Sequence, residues 1–355
     1  MKKILLMAIT LCIACTVFAQ EGGVQIQMVE RIPMGDGTWV YRYALGDKKH
    51  LEGECRLVVN EREYIVADFK NGLPEGKWET FRYNKLYERR NYKKGKLDGN
   101  VTTYASDGKT VAKESTSSSG KRNGRYTTYY TNGQLEKEQE FKEGKEHGYL
   151  RTYTLEGNIK WDCYYEEGKM HGQQTQLYTS NQGNYVKMSN YEHGVLVGDY
   201  SELYENGGVK TKGKYDKAGK KTGLWIVAKK DGTIEDESEY ENDMRNGKRK
   251  AFFVDATVSS IRTYKNDKLH GPTIYNRYST HKVQNERMYV DGALHGPFKD
   301  YYENGSVEEE GEYVKGNMVS RKTYHSNGKV RTVEKAEGSV LKTLEKYDST
   351  GKNIM

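Results

Sequence analysis

Histidine and cysteine are the residue types in this chain best suited to metal or redox chemistry. Four of the eight histidines stand immediately before a glycine that recurs along the chain: His147, His171, His270 and His295. In a stack of paired strands, equivalent positions of successive hairpins are ~10 Å apart, whereas zinc needs its nitrogen ligands at ~2.0–2.1 Å. We therefore interpret these histidines as turn residues and expect neither a metal site nor a cofactor.

Cys55 and Cys163 are the two cysteines outside residues 1–19. If hairpins stack in sequence order, these thiols lie roughly 40 Å apart. A disulfide requires Cα atoms within ~7 Å of each other. The sequence therefore predicts two unpaired thiols, even though an exported protein would favour a disulfide.

Catalytic motifs are absent from the sequence. There is no Gly-x-Ser-x-Gly nucleophile elbow, no His-Glu-x-x-His pair and no phosphate-binding loop, because the glycines separate short aromatic runs and do not open helices. We predict that the chain is not an enzyme and has no catalytic residues. The formal net charge of +7 is spread among alternating lysines and acids, which does not favour nucleic-acid binding.

A glycine recurs about every 24 residues and serves here as the anchor of each repeat. The anchors are Gly53, Gly76, Gly99, Gly124, Gly148, Gly172, Gly198, Gly223, Gly247, Gly271 and Gly296. Large side chains follow in register, two residues after the anchor at Trp78 and Tyr200, and five residues after it at Phe81, Tyr104, Tyr129, Tyr153, Tyr301 and Tyr324. Such regular spacing indicates one structural module repeated along the chain.

Two turn signals occur in each repeat. Asn-Gly or Asp-Gly follows the aromatic pair, as at Asn132 and Asn304, and predicts a type I′ hairpin turn. A second glycine four residues before the anchor predicts another turn at the repeat boundary. With runs of five to eight residues between turns, we predict an all-β, elongated antiparallel β-meander solenoid of about 12 hairpin repeats over residues 46–355. The tyrosine hydroxyls are expected to reach water at the sheet edge.

Residues 296–305 (GPFKDYYENG) and 264–271 (YKNDKLHG) carry a family signature. The signature is a glycine, an aromatic two positions on, an aromatic pair, an Asn-Gly turn and Tyr-x-x-Gly-Lys-x-x-Gly, and it resembles the MORN repeat in its bacterial variant, antitoxin-like form. Residues 124–133 and 198–207 match similarly. Polar residues replace the first aromatic at Gln174, Arg249, Thr273 and Arg321, and we expect these repeats to be the loosest. The resemblance implies an elongated scaffold for protein association or membrane attachment.

The first twenty residues have the layout of an export signal. Lys2 and Lys3 precede an uncharged run that ends near Ala19, which predicts a signal peptide over residues 1–19. A lipid anchor at Cys15 is disfavoured, because the preceding residues only loosely match a lipobox. We expect an exported protein, in the periplasm, in the outer envelope or secreted, with residues 20–45 as an N-terminal segment or cap.

Repetition without a unique site favours a non-catalytic scaffold outside the cytoplasm that binds a protein partner or attaches to the envelope. Two alternatives stay open. One is glycan binding through exposed aromatics such as Tyr130, Tyr204 and Tyr302, and the other is association with a membrane surface. The sequence does not identify the partner.

Overall fold

The computed structural model describes residues 23–179 and 183–355. The chain divides into two compact units, with unit 1 ending at His171 and unit 2 beginning at Gly172. The predicted signal peptide and Cys15 lie outside the described residues. Within the described ranges, no helix has the length and apolar character needed to cross a membrane.

Unit 1 is built from short strands that pair with their sequence neighbours. Its repeat strands are β4 (Gly53–Asn60), β5 (Glu63–Lys70), β6 (Leu73–Arg82), β7 (Lys85–Lys93), β8 (Lys96–Tyr104), β9 (Val111–Ser118), β10 (Lys121–Tyr129), β11 (Leu135–Lys142), β12 (Lys145–Tyr153) and β13 (Ile159–Glu166). Before them come β1 (Val24–Gln25), a 3-10 turn (Ile26–Met28), β2 (Val29–Pro33) and β3 (Trp39–Tyr43). The boundary between the units falls inside β14 (Lys169–Tyr178).

Unit 2 continues the same pattern. Its strands are β15 (Tyr185–Glu192), β16 (Val195–Tyr204), β17 (Val209–Tyr215), β18 (Lys221–Ala228), β19 (Ile234–Glu241), β20 (Met244–Phe252), β21 (Val258–Lys265), β22 (Lys268–Asn276), β23 (Val283–Val290), β24 (Ala293–Leu294), β25 (Gly296–Tyr301), β26 (Val307–Val314), β27 (Asn317–Tyr324), β28 (Val330–Glu337) and β29 (Val340–Lys346). The predicted all-β antiparallel meander is confirmed.

The anchor glycines occupy one fixed position in the strand register. Most lie directly opposite an aromatic residue near the end of the following strand. These pairs are Gly76 with Tyr92, Gly124 with Phe141, Gly148 with Tyr165, Gly198 with Tyr215, Gly223 with Tyr240, Gly247 with Tyr264, Gly271 with Tyr289 and Gly296 with Tyr313. Gly99 is the exception, since it faces Ser117. A glycine weakens a strand because it has no side chain to pack, and an aromatic ring across the ladder supplies the missing contact.

The type I′ geometry that was predicted for the Asn-Gly turn occurs at the repeat boundary instead. At the repeat boundary, Glu143 and Gly144 both have positive φ (51° and 87°), as a two-residue type I′ loop requires. At the Asn-Gly turn only Gly133 has positive φ (84°). Its N–H donates to the Tyr130 carbonyl at 2.9 Å, which is the type I turn with a glycine bulge found in three-residue hairpin loops.

Asn132 explains why the Asn-Gly turn takes this form. Its Oδ1 accepts the backbone N–H of Gln134 at 3.0 Å, a local bond that holds the asparagine in its ordinary backbone region. Asp231, Asn304 and Asn327 likewise accept the backbone N–H of the residue two positions later, which is Thr233, Ser306 and Lys329 respectively. The predicted type I′ geometry at Asn-Gly is therefore wrong, although both hairpin positions are right.

The N-terminal segment covers the first repeat of unit 1. β1 pairs in parallel with β4, and the β2–β3 hairpin places Tyr41 against Phe69 and Trp78, with ring centroids 5.3 and 6.0 Å apart. Leu51 and Leu57 are fully buried beneath it. Aliphatic and aromatic side chains form a layered core here.

Candidate functional site

The aromatic positions predicted from the sequence serve the hairpins themselves. The aromatic five residues after the anchor lies opposite an aliphatic residue next to the turn of its hairpin. The pairs are Phe81 with Leu86, Tyr104 with Val111, Tyr129 with Leu135, Tyr153 with Ile159, Tyr301 with Val307 and Tyr324 with Val330. Such cross-strand pairs each contribute about 0.2–1 kcal/mol. These residues therefore contribute to the stability of the scaffold.

Tyrosine hydroxyls at these positions bond to protein groups. Tyr129 and Tyr324 donate to Glu114 and Glu310 at 3.1 and 2.6 Å. Burial, followed by the hydrogen bond to Glu310, raises the pKa of Tyr324 to about 12. Strand stacking therefore places a carboxylate beside each of these two hydroxyls.

One row of side chains crosses the strands on one face. It consists of the residues two positions after each anchor and the residues directly opposite them on the neighbouring strands, and we call it the central row. Large residues alternate with small ones along it. Trp78 lies opposite Ala67, Tyr200 opposite Gly213, and Phe298 opposite Gly311. The large members of the row were predicted from the sequence, and the small members were not. Their signal is a small residue at a fixed place in the neighbouring strand, which becomes visible only when the register is known.

Cys163 belongs to this central row, where it lies opposite Leu150. Burial, aided by the nearby Asp162 and Glu146 charges, raises the pKa of its thiol to about 12. Cys55 is also unpaired, so the prediction of two unpaired thiols is confirmed. A buried, protonated thiol is a poor nucleophile and metal ligand.

Polar residues of the row are buried as well as the aromatic ones. Thr273 is fully buried, and Gln174, also buried, accepts a hydrogen bond from Ser189 at 3.0 Å. The expectation that these repeats pack loosely finds no support in their burial. A sheet position can bury a polar residue when neighbouring strands satisfy it.

Tyr130, Tyr204 and Tyr302 bridge successive hairpins. Their hydroxyls donate to the backbone carbonyls of Tyr153, Ala228 and Tyr324 at 2.7, 3.1 and 2.7 Å. The rings are half-buried in the stack. These are the tyrosines that the glycan-binding alternative requires as exposed platforms.

Two of the histidines before the anchors, His270 and His295, act in the boundary turns. Nδ1 of His270 accepts the backbone N–H of Asp291 at 3.4 Å, and Nδ1 of His295 accepts that of Lys315 at 3.2 Å. In earlier repeats Asp98 and Glu75 accept the corresponding N–H groups of Ser119 and Lys94. A histidine here replaces a carboxylate as a turn acceptor, which is the turn role predicted.

The hairpins with an Asn-Gly turn, and the equivalent hairpins of other repeats, expose the first residue of the loop, seven residues after the anchor. This turn position accepts most residue types, and here it varies widely: Thr131, Leu155, Glu205, Lys230, Val254, Tyr278 and Glu303. Val254 and Tyr278 are 71% and 55% exposed. We call these residues the hairpin tips.

The family comparison agrees with this geometry. The model described as "MORN repeat variant" matches residues 122–143 and 294–315, and each match covers one hairpin from two residues before its anchor to the next boundary turn. The chain is a MORN repeat protein of the variant type. The same strand register at the other anchors extends the MORN module through both units.

Two solved structures are similar to parts of this MORN chain. A protein of unknown function from Bacteroides caccae is 10% identical with a TM-score of 0.15, covering 65% of this chain and 88% of that one. The Tc holotoxin pore of Photorhabdus luminescens is 11% identical with a TM-score of 0.13, covering 89% of this chain and 23% of that one. No curated protein matches the chain.

In unit 2, the central row of the MORN hairpins is rich in ion pairs. Arg249 lies 2.6 Å from Asp236, Arg287 lies 2.7 Å from Asp300, and Arg321 lies 2.7 Å from Glu334. All six side chains are partly buried. Pairing offsets the cost of placing these charges in a partly desolvated row.

Asp300 and Glu309 lie directly opposite each other, two residues along their strands from Phe298 and Gly311 of this row. Burial, followed by the hydrogen bond and charge of Asp300, raises the pKa of Glu309 above its usual 4.5. The folded protein therefore holds this proton more tightly than the unfolded chain. The resulting contribution to stability is present below the unfolded pKa and is lost as the pH rises through the folded pKa.

Glu309→Gln is expected to stabilise unit 2 by about 0.5 kcal/mol at pH 7, because it removes a like charge directly opposite Asp300. The gain should disappear well below pH 4.5, where Glu309 is already protonated. Urea denaturation at pH 7 and pH 3.5 checks both statements. Glu308→Gln, at the exposed neighbouring residue, is the control, and an equal gain in that variant at pH 7 would contradict the assignment.

Proposed function

We propose that this protein is a non-catalytic repeat scaffold that acts outside the cytoplasm and binds a protein partner through its hairpin tips. The observation that carries the proposal is the division of labour among the side chains. The repeated glycines, tyrosines and histidines are used in turns and strand pairs, whereas the hairpin tips make few demands on residue type and differ from repeat to repeat.

The tips at Val254 and Tyr278 have the features of a protein contact. The Tyr278 ring packs against Phe253 with centroids 5.2 Å apart, and His281 Nε2 lies 2.8 Å from the Asp255 carboxylate. These contacts hold two exposed apolar tips side by side in unit 2. An aromatic residue fixed beside aliphatic surface is typical of interaction hot spots.

Site-specific photo-crosslinking tests the proposal. A photoreactive phenylalanine derivative placed at position 254 or 278 of the full chain should form adducts with one and the same protein in the cell-envelope fraction. The derivative at Thr131, a polar tip of unit 1, is the matched control and should not capture that protein. Excess unlabelled chain should compete for the adduct, and the Val254→Ser/Tyr278→Ser chain should not.

Failure to form a protein adduct at both positions, with the chain folded by circular dichroism, would overturn the proposal. For an exported protein, we expect adducts in the cell-envelope fraction and none in the cytoplasmic fraction. Adducts confined to the cytoplasm would overturn the extracytoplasmic part and leave the scaffold part standing.

The glycan-binding alternative has less support, because Tyr130, Tyr204 and Tyr302 use their hydroxyls between hairpins. The membrane-surface alternative also has little support, since lysines and acids alternate along the chain and polybasic recognition needs clustered charge. The family itself typically comprises non-catalytic repeat proteins, which supports the scaffold role.

A further inference from the structure

Glutamates recur at one register position on the face opposite the central row, because side chains alternate between the two faces of a strand. Glu138 of unit 1 has Arg151 directly opposite it, and Glu310 of unit 2 lies between Lys299 and Lys322. The nitrogen–oxygen distances from Glu138 to Arg151 and from Glu310 to Lys299 are 4.0 and 3.5 Å. At these positions the chain itself supplies the counter-ion.

Glu114 of unit 1 occupies the same register position with different neighbours. It lies between Thr102 on β8 and Thr127 on β10. Its carboxylate accepts a hydrogen bond from the Tyr129 hydroxyl at 3.1 Å, and it has no ion-pair partner among the residues that the structure describes. The two threonines therefore take the places that lysines take beside Glu310.

A depression with a volume of about 300 Å³ lies beside Glu114, and Thr102, Thr127 and Arg125 are among the other residues that line it. This volume is at the lower end of the range for ligand pockets. The Arg125 guanidinium is already bonded to the Glu138 carboxylate. Because Glu114 is exposed to solvent, a group from outside the chain can reach its carboxylate.

We propose that the depression at Glu114 binds a cationic group, either an ammonium or a guanidinium. The carboxylate supplies the opposite charge and two acceptor oxygens, and the hydroxyls of Thr102 and Thr127 are further acceptors beside it. Hydrogen bonds between two charged groups are stronger than those between neutral groups. The cation comes from a free amine or guanidine, or from a lysine or arginine side chain of a polypeptide.

This site lies in unit 1 and does not rest on the proposed partner of the hairpin tips. Cation binding at Glu114 stands if no protein adduct forms at Val254 or Tyr278, and a tip partner stands if Glu114 binds nothing. The two proposals are thus tested by different measurements.

Nuclear magnetic resonance of the full chain with ¹³C-labelled threonine methyl groups tests the site. The methyl signals of Thr102 and Thr127, assigned by their absence from Thr102→Ser and Thr127→Ser, should shift saturably with ethylguanidinium. They should not shift with ethylurea, which has nearly the same shape and no charge. A blocked pentapeptide of one arginine among four glycines forms the second arm, with citrulline in place of arginine as its neutral control. A shift with ethylguanidinium alone assigns a free cation, and tighter binding of the arginine peptide assigns a polypeptide.

Two variants separate cation binding from structural damage. Glu114→Gln keeps the shape and an acceptor for the Tyr129 hydroxyl, and should weaken binding about tenfold. Thr102→Lys copies Lys299 and places a cation of the chain beside Glu114, so this folded variant should no longer bind ethylguanidinium. Glu143→Gln, at an exposed glutamate of the same unit, is the matched control and should bind as the original does.

Three results would overturn the proposal. They are no shift with either cationic probe, an equal shift with ethylurea, and unchanged binding by Glu114→Gln. Normal binding by a folded Thr102→Lys chain would also contradict it, because the introduced lysine should occupy the site.

Discussion

Trp225→Ala is expected to lower the free energy of unfolding of unit 2 by about 3–5 kcal/mol. The Trp225 side chain is 5% exposed, and its ring contacts those of Tyr200, Tyr215 and Tyr240 at centroid distances of 5.5, 5.2 and 6.3 Å. A meander of single hairpins has little other apolar packing, so the loss cannot be redistributed. Hydrogen exchange of the amides of β16–β19 measures the local stability directly.

Leu224→Ala is the matched control for Trp225. Leu224 is the preceding residue of the same strand, points to the opposite face and is 49% exposed, so its truncation should cost less than about 0.5 kcal/mol. Equal losses in the two variants would show that the central row does not carry the stability of unit 2.

Gly213 provides a second test of the same contact. A Cβ at Gly213 would overlap the Trp225 ring, so Gly213→Ala should also be strongly destabilising. In the presence of Trp225→Ala the same substitution should be much milder. A double-mutant cycle that showed simple additivity would contradict the large-against-small packing of the row.

Gly72→Ala is expected to detach the N-terminal hairpin of unit 1, at a cost of about 3 kcal/mol. Gly72 has φ of 76°, and a Cβ there would lie 2.6 Å from the Tyr41 carbonyl oxygen and 2.7 Å from Val40 Cγ1. The substitution combines left-handed backbone strain of about 1–2 kcal/mol with overpacking of about 1–3 kcal/mol. The hydrogen bond from the Tyr41 amide to the Gly72 carbonyl, 2.7 Å long, should be lost with it.

Faster hydrogen exchange of the Tyr41 amide and of the other β2–β3 amides measures the detachment of the hairpin. Gly144→Ala is the control, because Gly144 takes the same position in its turn (φ 87°) and a Cβ there meets nothing within 4 Å. That variant should show the backbone strain alone, about 1–2 kcal/mol. Equal effects at the two glycines would mean that the N-terminal hairpin does not rest on Gly72.

The hairpin positions could be predicted from the sequence, because turn chemistry is local. Asn132-Gly133 and Glu143-Gly144 both mark real turns, each fixed by residues within the turn itself. The two dipeptides do not predict which turn is type I′ and which is a type I turn with a glycine bulge. Loop length and strand register decide whether one or two residues of the loop take positive φ. A two-residue loop needs two such residues and a three-residue loop needs one.

The candidate sites divide in the same way. The turn role of His270 and His295 and the free thiols of Cys55 and Cys163 could be predicted from the sequence, because both follow from the period of the repeat.

Glu114 gave no signal in the sequence, since glutamates also occur at the equivalent positions Glu138 and Glu310. It differs from them through Thr102 and Thr127, which lie on neighbouring strands.

By itself, the sequence determined the repeat, the all-β class and the place of every anchor glycine, because these depend on short-range backbone preference and on period. Only the tertiary structure decided which groups meet. Examples are the small residue Gly213 beneath Trp225, the backbone carbonyl that accepts the hydrogen bond of the Tyr302 hydroxyl, and the two threonines on either side of Glu114. Such meetings are set by register and bulges between strands. A shift of one residue turns a side chain to the other face of the sheet, so no local pattern can fix them.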